Sequence, residues 1–289
     1  MIAGNTATFN PDTNVNLVSA GYNLFGSTIG TTIFGVTTGN LLNVSPRVAA
    51  LGSWGGPTAT QALLPGSPAI DRGGAAAEIQ NVIVSGSSGS FTLTFNGQTT
   101  TALAFNASLA AVEAALAALP SIGAGNVSVV GVGGGYNIIF QGALGGLDQP
   151  QLTALGSGGA TANVRTYLDG GVLGTDQRGV ARVGAVDIGA FESRGFTLAI
   201  EGGNNQVAGP GLAFAQPLVV RVTPVAAGEP VAGGAVSYTA PGSGASATLA
   251  SNPASINGSG VASTAATANT TTGSYTVSAS TTGASAGVD

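Results

Sequence analysis

No histidine, cysteine or lysine occurs in this chain of 289 residues, and all seven of its basic residues are arginines. The missing imidazole and amine remove the ordinary neutral-pH bases, the Ser-His relay and Schiff-base chemistry. The missing thiol removes thiolate nucleophiles, disulfides and thiolate-ligated zinc or iron-sulfur sites. Charge is scarce as well: 7% of residues against about 25% in an ordinary soluble domain. The net charge of −5 opposes nucleic-acid binding, which needs clustered Lys and Arg. No apolar run approaches the ~20 residues of a membrane helix. Any chemistry is left to carboxylates, arginine, tyrosine or hydroxyls, so the chain reads first as a structural or binding protein.

Glycine and hydrophobic residues are plentiful, with 48 Gly and 44% hydrophobic content. A chain so apolar has surface to bury and is not held open by charge. Many short strands joined by tight turns suit this composition, and a mainly β fold is expected. The amino-terminal Met1-Ile2-Ala3-Gly4-Asn5 lacks the basic and apolar regions of a signal peptide. The chain is therefore expected to be a fragment of a longer secreted protein whose export signal lies upstream.

Three textures follow one another. Over residues 1–77, short apolar pairs alternate with Asn and Gly, as in Asn14-Val15-Asn16-Leu17-Val18, Gly21-Tyr22-Asn23-Leu24-Phe25-Gly26 and Asn40-Leu41-Leu42-Asn43-Val44. These suit the rungs of a right-handed parallel β-helix, with Asn at the turns bonding to its equivalents. The same texture resumes over 169–193. Between them, residues 78–168 read as an inserted α+β unit. There Phe91-Thr92-Leu93-Thr94-Phe95 alternates before an Asn96-Gly97 hairpin signal. A helix is predicted over 107–119, capped by Asn106, closed by Pro120 and striped by Leu109, Val112, Leu116 and Leu119. A second hairpin joins 126–132 to 136–140 through Gly133-Gly134-Gly135. From 196 to 289 strands recur about every ten residues, at 218–222, 235–239, 245–249, 260–267 and 274–280, which suggests an immunoglobulin-like sandwich lacking its closing edge.

Specific motifs carry resemblances. Gly55-Gly56-Pro57-Thr58, Leu64-Pro65-Gly66-Ser67-Pro68-Ala69-Ile70-Asp71, Asp176-Gln177-Arg178-Gly179 and Asp187-Ile188-Gly189-Ala190-Phe191-Glu192 together resemble the carboxy-terminal end of choice-of-anchor Q domain proteins, β-helices of bacterial surfaces. Ile2-Ala3-Gly4-Asn5-Thr6 and Gly21-Tyr22-Asn23-Leu24-Phe25-Gly26 fit its last rungs. The 78–168 insertion departs from that pattern. It is similar to a repeat of very large bacterial surface proteins, through residues 91–100 and Asn126-Val127-Ser128-Val129. Phe214-Ala215-Gln216-Pro217-Leu218-Val219-Val220, Pro230-Val231-Ala232-Gly233 and Gly273-Ser274-Tyr275-Thr276-Val277 resemble invasin-type bacterial Ig-like domains. The resemblances imply a cell-surface or secreted multidomain scaffold, and none brings a catalytic residue or a cofactor.

Asp71, Asp176, Arg178, Arg182, Asp187 and Glu192 concentrate charge in an otherwise neutral chain. They allow two readings. One is catalytic: a carboxylate pair for glycoside hydrolysis, or an Arg base with Asp-bound calcium for polysaccharide elimination. The other is an Arg–carboxylate clasp tying the coil at 67–71 to a strand at 186–191, and it is preferred because no acid-plus-base spacing stands out. Asp169 and Asp176 read as solvated loop residues rather than calcium ligands. Gly131-Val132-Gly133-Gly134-Gly135 precedes a strand and has no Lys, so a hairpin turn is expected rather than a phosphate loop. Sequons at Asn43, Asn106, Asn126, Asn257 and Asn269 are compatible with chance in so Ser/Thr-rich a chain. Tyr22, Trp54, Tyr136, Tyr167, Tyr238 and Tyr275 are expected in core or edge packing, although exposed ones would stack on sugars. The expected function is non-enzymatic, extending or displaying a surface protein and contacting polysaccharide or a neighbouring cell. A carbohydrate-active β-helix enzyme and a capsid or tail-fibre component are the competing readings.

Overall fold

The computed structural model describes residues 16–289. Ile2–Thr6 and Asn14-Val15 of the rung motifs lie outside them. The fold is mainly β, as expected: among the described residues there are twenty strands against a single α-helix, and the sheets form no closed barrel. The chain divides into two compact units, 1–43 with 73–174 and 44–72 with 175–289. The discontinuous segment 1–77 plus 169–193 is thus shared between both units. The insertion at 78–168 falls wholly in the first, and 196–289 wholly in the second.

The first unit opens with β1 (Asn16–Ala20), β2 (Leu24–Phe25), β3 (Thr32–Val36) and β4 (Leu41–Leu42). β1 pairs with β3 and β2 with β4, both in parallel, at offsets of 16 and 17 residues. A repeat so short returns each Asn to its equivalent. The Asn23 N–H donates to Asn40 Oδ1 at 2.8 Å, and the Asn23 amide reaches Asn40 Oδ1 and Ser19 Oγ. Gly39, with positive φ, makes the turn between β3 and β4 where a side chain would collide with the Tyr22 ring.

β5 (Ile79–Ser85), β6 (Ser90–Phe95), β7 (Gln98–Thr99) and β8 (Leu103–Ala104) precede helix α1 (Leu109–Ala117). After it come β9 (Val127–Val132), β10 (Gly135–Phe140), β11 (Thr153–Ser157) and β12 (Thr161–Leu168). Antiparallel sheets of order β12-β5-β10-β9 and β11-β6-β7, with β8 also on β6, enclose one core. Phe91, Leu93 and Phe95 alternate inward as predicted, and Phe95 lies 5.3 Å from Phe140 between ring centroids. The two-residue turns at Asn96-Gly97 and Gly133-Gly134 have positive φ throughout, the requirement of a tight hairpin. Gly135 belongs to β10 rather than to the turn.

The helix is shorter than predicted, and its cap is different. Ser108, not Asn106, is the N-cap, accepting from the Ala111 N–H at 3.2 Å. Val112, Leu116 and Leu119 are buried, while Leu109 at the first turn is 41% exposed. Glu113 faces the sheet, where its carboxylate accepts the Val129 N–H.

The second unit holds β13 (Phe196–Gly202), β14 (Leu218–Pro224), β15 (Ala235–Thr239), β16 (Ala247–Leu249), β17 (Ala254–Ser255), β18 (Val261–Thr264), β19 (Ala266–Ala268) and β20 (Ser278–Ser280). They pair as β13-β14-β18, β17-β15-β20 and β16-β19, all antiparallel. The strand predicted over 260–267 breaks at Ala265 into β18 and β19. Of the strand predicted over 274–280, only 278–280 enters a ladder, because residues 274–277 have no backbone partner among the described residues. The segment at 186–191 forms no strand and is held as coil by side chains.

Candidate functional site

The motif segments 55–58, 64–71, 176–179 and 187–192 converge within the second unit around two buried ion pairs. Asp176 and Arg178 sit in a tight turn closed by Gly179 N–H to Asp176 O and by Asp176 N–H to Val180 O. Asp176 Oδ1 accepts the N–H groups of Arg178 and Val180, at 2.8 and 3.1 Å. Its Oδ2 accepts from Arg178 Nε at 2.8 Å, from Nη2 at 2.7 Å and from the Glu192 N–H at 2.9 Å. The guanidinium continues to the carbonyls of Trp54 and Glu192 and stacks 3.5 Å above the Phe191 ring centroid. Gly56 is required beneath it, since a Cβ there would meet Arg178 Cα at 2.9 Å. Gln177 ties the same turn to Thr58 Oγ1 at 2.8 Å.

Arg182 builds the second pair. Its Nη1 donates to Glu192 Oε2 at 2.8 Å and to the Asp187 carbonyl, and its Nη2 to the Gly189 carbonyl. Glu192 also accepts the N–H groups of Val183 and Asp187. Asp187 joins the segments: its Oδ1 accepts the Asp71 N–H at 2.8 Å and its Oδ2 the Ser193 N–H at 2.6 Å. Beside it the Ile188 N–H reaches the Ala69 carbonyl.

All six residues of the sequence-predicted cluster therefore meet, with one correction to how. The coil at 67–71 is tied by the Asp187 carboxylate and backbone bonds, not by an arginine, and Asp71 contributes its N–H. Arg178 meets Asp176 through both Nε and Nη2 on the single oxygen Oδ2, a pairing the spacing alone does not specify. Glu229, Ser193 and Trp54 also belong to the site and were not legible in the motifs. Glu229 accepts the Arg194 N–H and the Ser193 hydroxyl from 35 and 36 residues away, a distance no local spacing signals.

The electrostatics follow from burial and donor count. Burial pushes the Asp176 carboxyl up, but the donors from Glu192, Arg178 and Val180 outweigh it and hold the group below the usual range. Asp187 has fewer donors. Burial pushes it up to about 7 against the N–H groups of Asp71 and Ser193, and the nearby charges of Glu192 and Asp71 add to the rise. Burial also raises Glu229, in opposition to the Arg194 N–H and Ser193 hydroxyl.

Other sequence-level candidates resolve as follows. Asp169 lies in the first unit, and among the described residues no group of three or more carboxylates is placed to hold a metal ion. The amides of Asn43, Asn126, Asn257 and Asn269 serve turns, bonding to Thr28, Ala143, Ser259 and Ser246 among others. Tyr136 and Tyr238 are buried and donate to the carbonyls of Ala107 and Ala262, whereas Tyr167 is 67% exposed.

No protein-family model matches this chain, and no curated protein does. Among solved structures, a chain from Mycobacterium phage Patience matches 39% of this chain at 20% identity with a TM-score of 0.26. The match spans about half (49%) of that chain. A likeness this slight supports no conclusion about fold or function.

Proposed function

We propose that this chain is a non-enzymatic structural and adhesive segment of a large bacterial cell-surface or secreted protein. In this reading the parallel pairs β1–β3 and β2–β4 are final rungs of a choice-of-anchor Q type β-helix, residues 78–168 are an inserted surface-protein unit, and residues 196–289 are an invasin-type Ig-like sandwich. One observation carries the proposal. The densest cluster of charge closes on itself, with Asp176, Glu192 and Asp187 each accepting on both carboxylate oxygens from donors of the same unit. Carboxylates occupied in this way hold backbone in place. A protein of this composition works by extension and by exposed neutral faces, and its partners are polysaccharide or a neighbouring cell surface.

The test is retention of the purified chain on immobilised bacterial polysaccharide, with assay of reducing and unsaturated sugar ends in the same samples. Retention without release is expected. Time-dependent release that disappears in Asp176→Asn or Asp187→Asn would establish the competing glycoside hydrolase or lyase reading.

A further inference from the structure

The first unit holds a cleft of about 600 Å³, within the roughly 300–1,000 Å³ of small-ligand sites. Tyr22, Thr37 and Thr38 line it together with Gln141, Gly142 and Gly146 of the turn after β10. No charged side chain lines it among the described residues. Tyr22 holds its place at a conformational cost. Its φ of 52° lies in the left-handed region, which a bulky side chain rarely adopts. The Tyr22 N–H is pinned to the Thr38 carbonyl at 2.9 Å. Its ring is wedged against two glycines, Gly39 and Gly74, and a side chain at either would collide with it.

The hydrogen-bonding groups around the cleft are unpaired. Among the described residues, the hydroxyls of Tyr22, Thr37 and Thr38 and Oε1 of Gln141 have no partner, and neither do the N–H groups of Gly142 and Gly146. Hydroxyls both donate and accept, the backbone N–H groups donate and the amide oxygen accepts. Gly142 and Gly146, both with positive φ, also let a ligand approach the main chain with no Cβ in the way. This mixed and uncharged set matches a ligand whose own groups are neutral and act in both senses, as sugar hydroxyls do. An anion would find no cation in the lining. An extended peptide needs a free strand edge, whereas Gly142–Leu144 is a 3₁₀ turn.

We propose that this cleft is the glycan-binding site of the chain, taking a short neutral stretch of polysaccharide through hydrogen bonds to the hydroxyls around Tyr22 and to the backbone at Gly142 and Gly146. The inference rests on the adhesive reading above and gives it a location. Acidic polysaccharides are disfavoured by the net charge of −5.

Amide hydrogen exchange of the full chain with neutral hexasaccharides of glucose and of N-acetylglucosamine, in separate samples, tests it. At ten times the measured dissociation constant, exchange at Gly142 and Gly146 should slow about tenfold with at least one of them, and amides of the second unit should not respond. Thr38→Trp places a large ring at an exposed lining position whose side chain makes no bond. It should abolish the protection and leave the melting curve in place. Should that variant unfold, Tyr22→Phe, which removes only the hydroxyl, is expected to weaken binding several-fold, and undiminished binding would contradict the site. Unchanged exchange at both glycines with both sugars overturns the proposal. So does protection that survives in folded Thr38→Trp, or protection by the capped peptide acetyl-Thr-Val-Ser-Val-Thr-amide and not by the sugars. Equal retention of parent and Thr38→Trp on immobilised polysaccharide would overturn the cleft and leave the adhesive reading standing, whereas retention of neither would overturn both.

Discussion

The carboxylates of this protein differ in what surrounds them, and that difference is measurable. Asp176 accepts from three backbone N–H groups and a guanidinium, and its acidity is strengthened; Asp187 has two backbone donors, and its carboxyl is pushed up to about 7. An unfolded Asp titrates near 3.9, so between about pH 4 and pH 7 the folded chain holds a proton at Asp187 that the unfolded chain does not. Its stability contribution is fully present below that window and is lost as pH rises through it, by up to about 1.4 kcal/mol per unit. Asp176 acts in the opposite sense, contributing above the ordinary carboxylate range and losing that contribution in strong acid. The second unit should therefore melt higher at about pH 5 than at about pH 8, and the difference should shrink in Asp187→Asn. A melting temperature that is flat or rises over that interval in the parent chain would refute the assignment.

At the scale of elements, the sequence was informative wherever one residue type had one physical reason to be where it is. Phe91, Leu93 and Phe95 alternate because one face of β6 is buried, and Asn96-Gly97 turns because both positions need positive φ. The helix was recognised from its stripe, but its start was misread. Asn106 and Ser108 are both good caps in isolation, and only the folded path decides which side chain meets the third N–H. Ser108→Ala should cost about 1 kcal/mol in chemical denaturation and Asn106→Ala much less; equal losses would show that the cap is shared. The segment 274–277 is expected as strand from the ten-residue spacing of the region. Such spacing says nothing of who pairs with the edge. Likewise a strand is expected at 186–191, whereas the carboxylates of Asp187 and Glu192 bond the backbone around it and hold it as coil.

For the whole molecule, the mainly β class followed from glycine, β-branched residues and the scarcity of charge. The division between residues 174 and 175 did not, because it depends on contacts such as Glu229 with Ser193 that are remote in the chain. The clustering of six charged residues in a neutral chain was the strongest signal of the site, and the structure joins five of them through their side chains and the exposed Asp71 through its backbone N–H. The account rests on that network serving the fold rather than turnover. Removing one partner of a buried pair leaves the other charge uncompensated, at a cost of about 3–5 kcal/mol. Calorimetric melting of Arg178→Ala beside the parent chain tests this most directly. A fall of roughly 10 °C in the transition of the second unit is predicted, and a superimposable melting curve would contradict it.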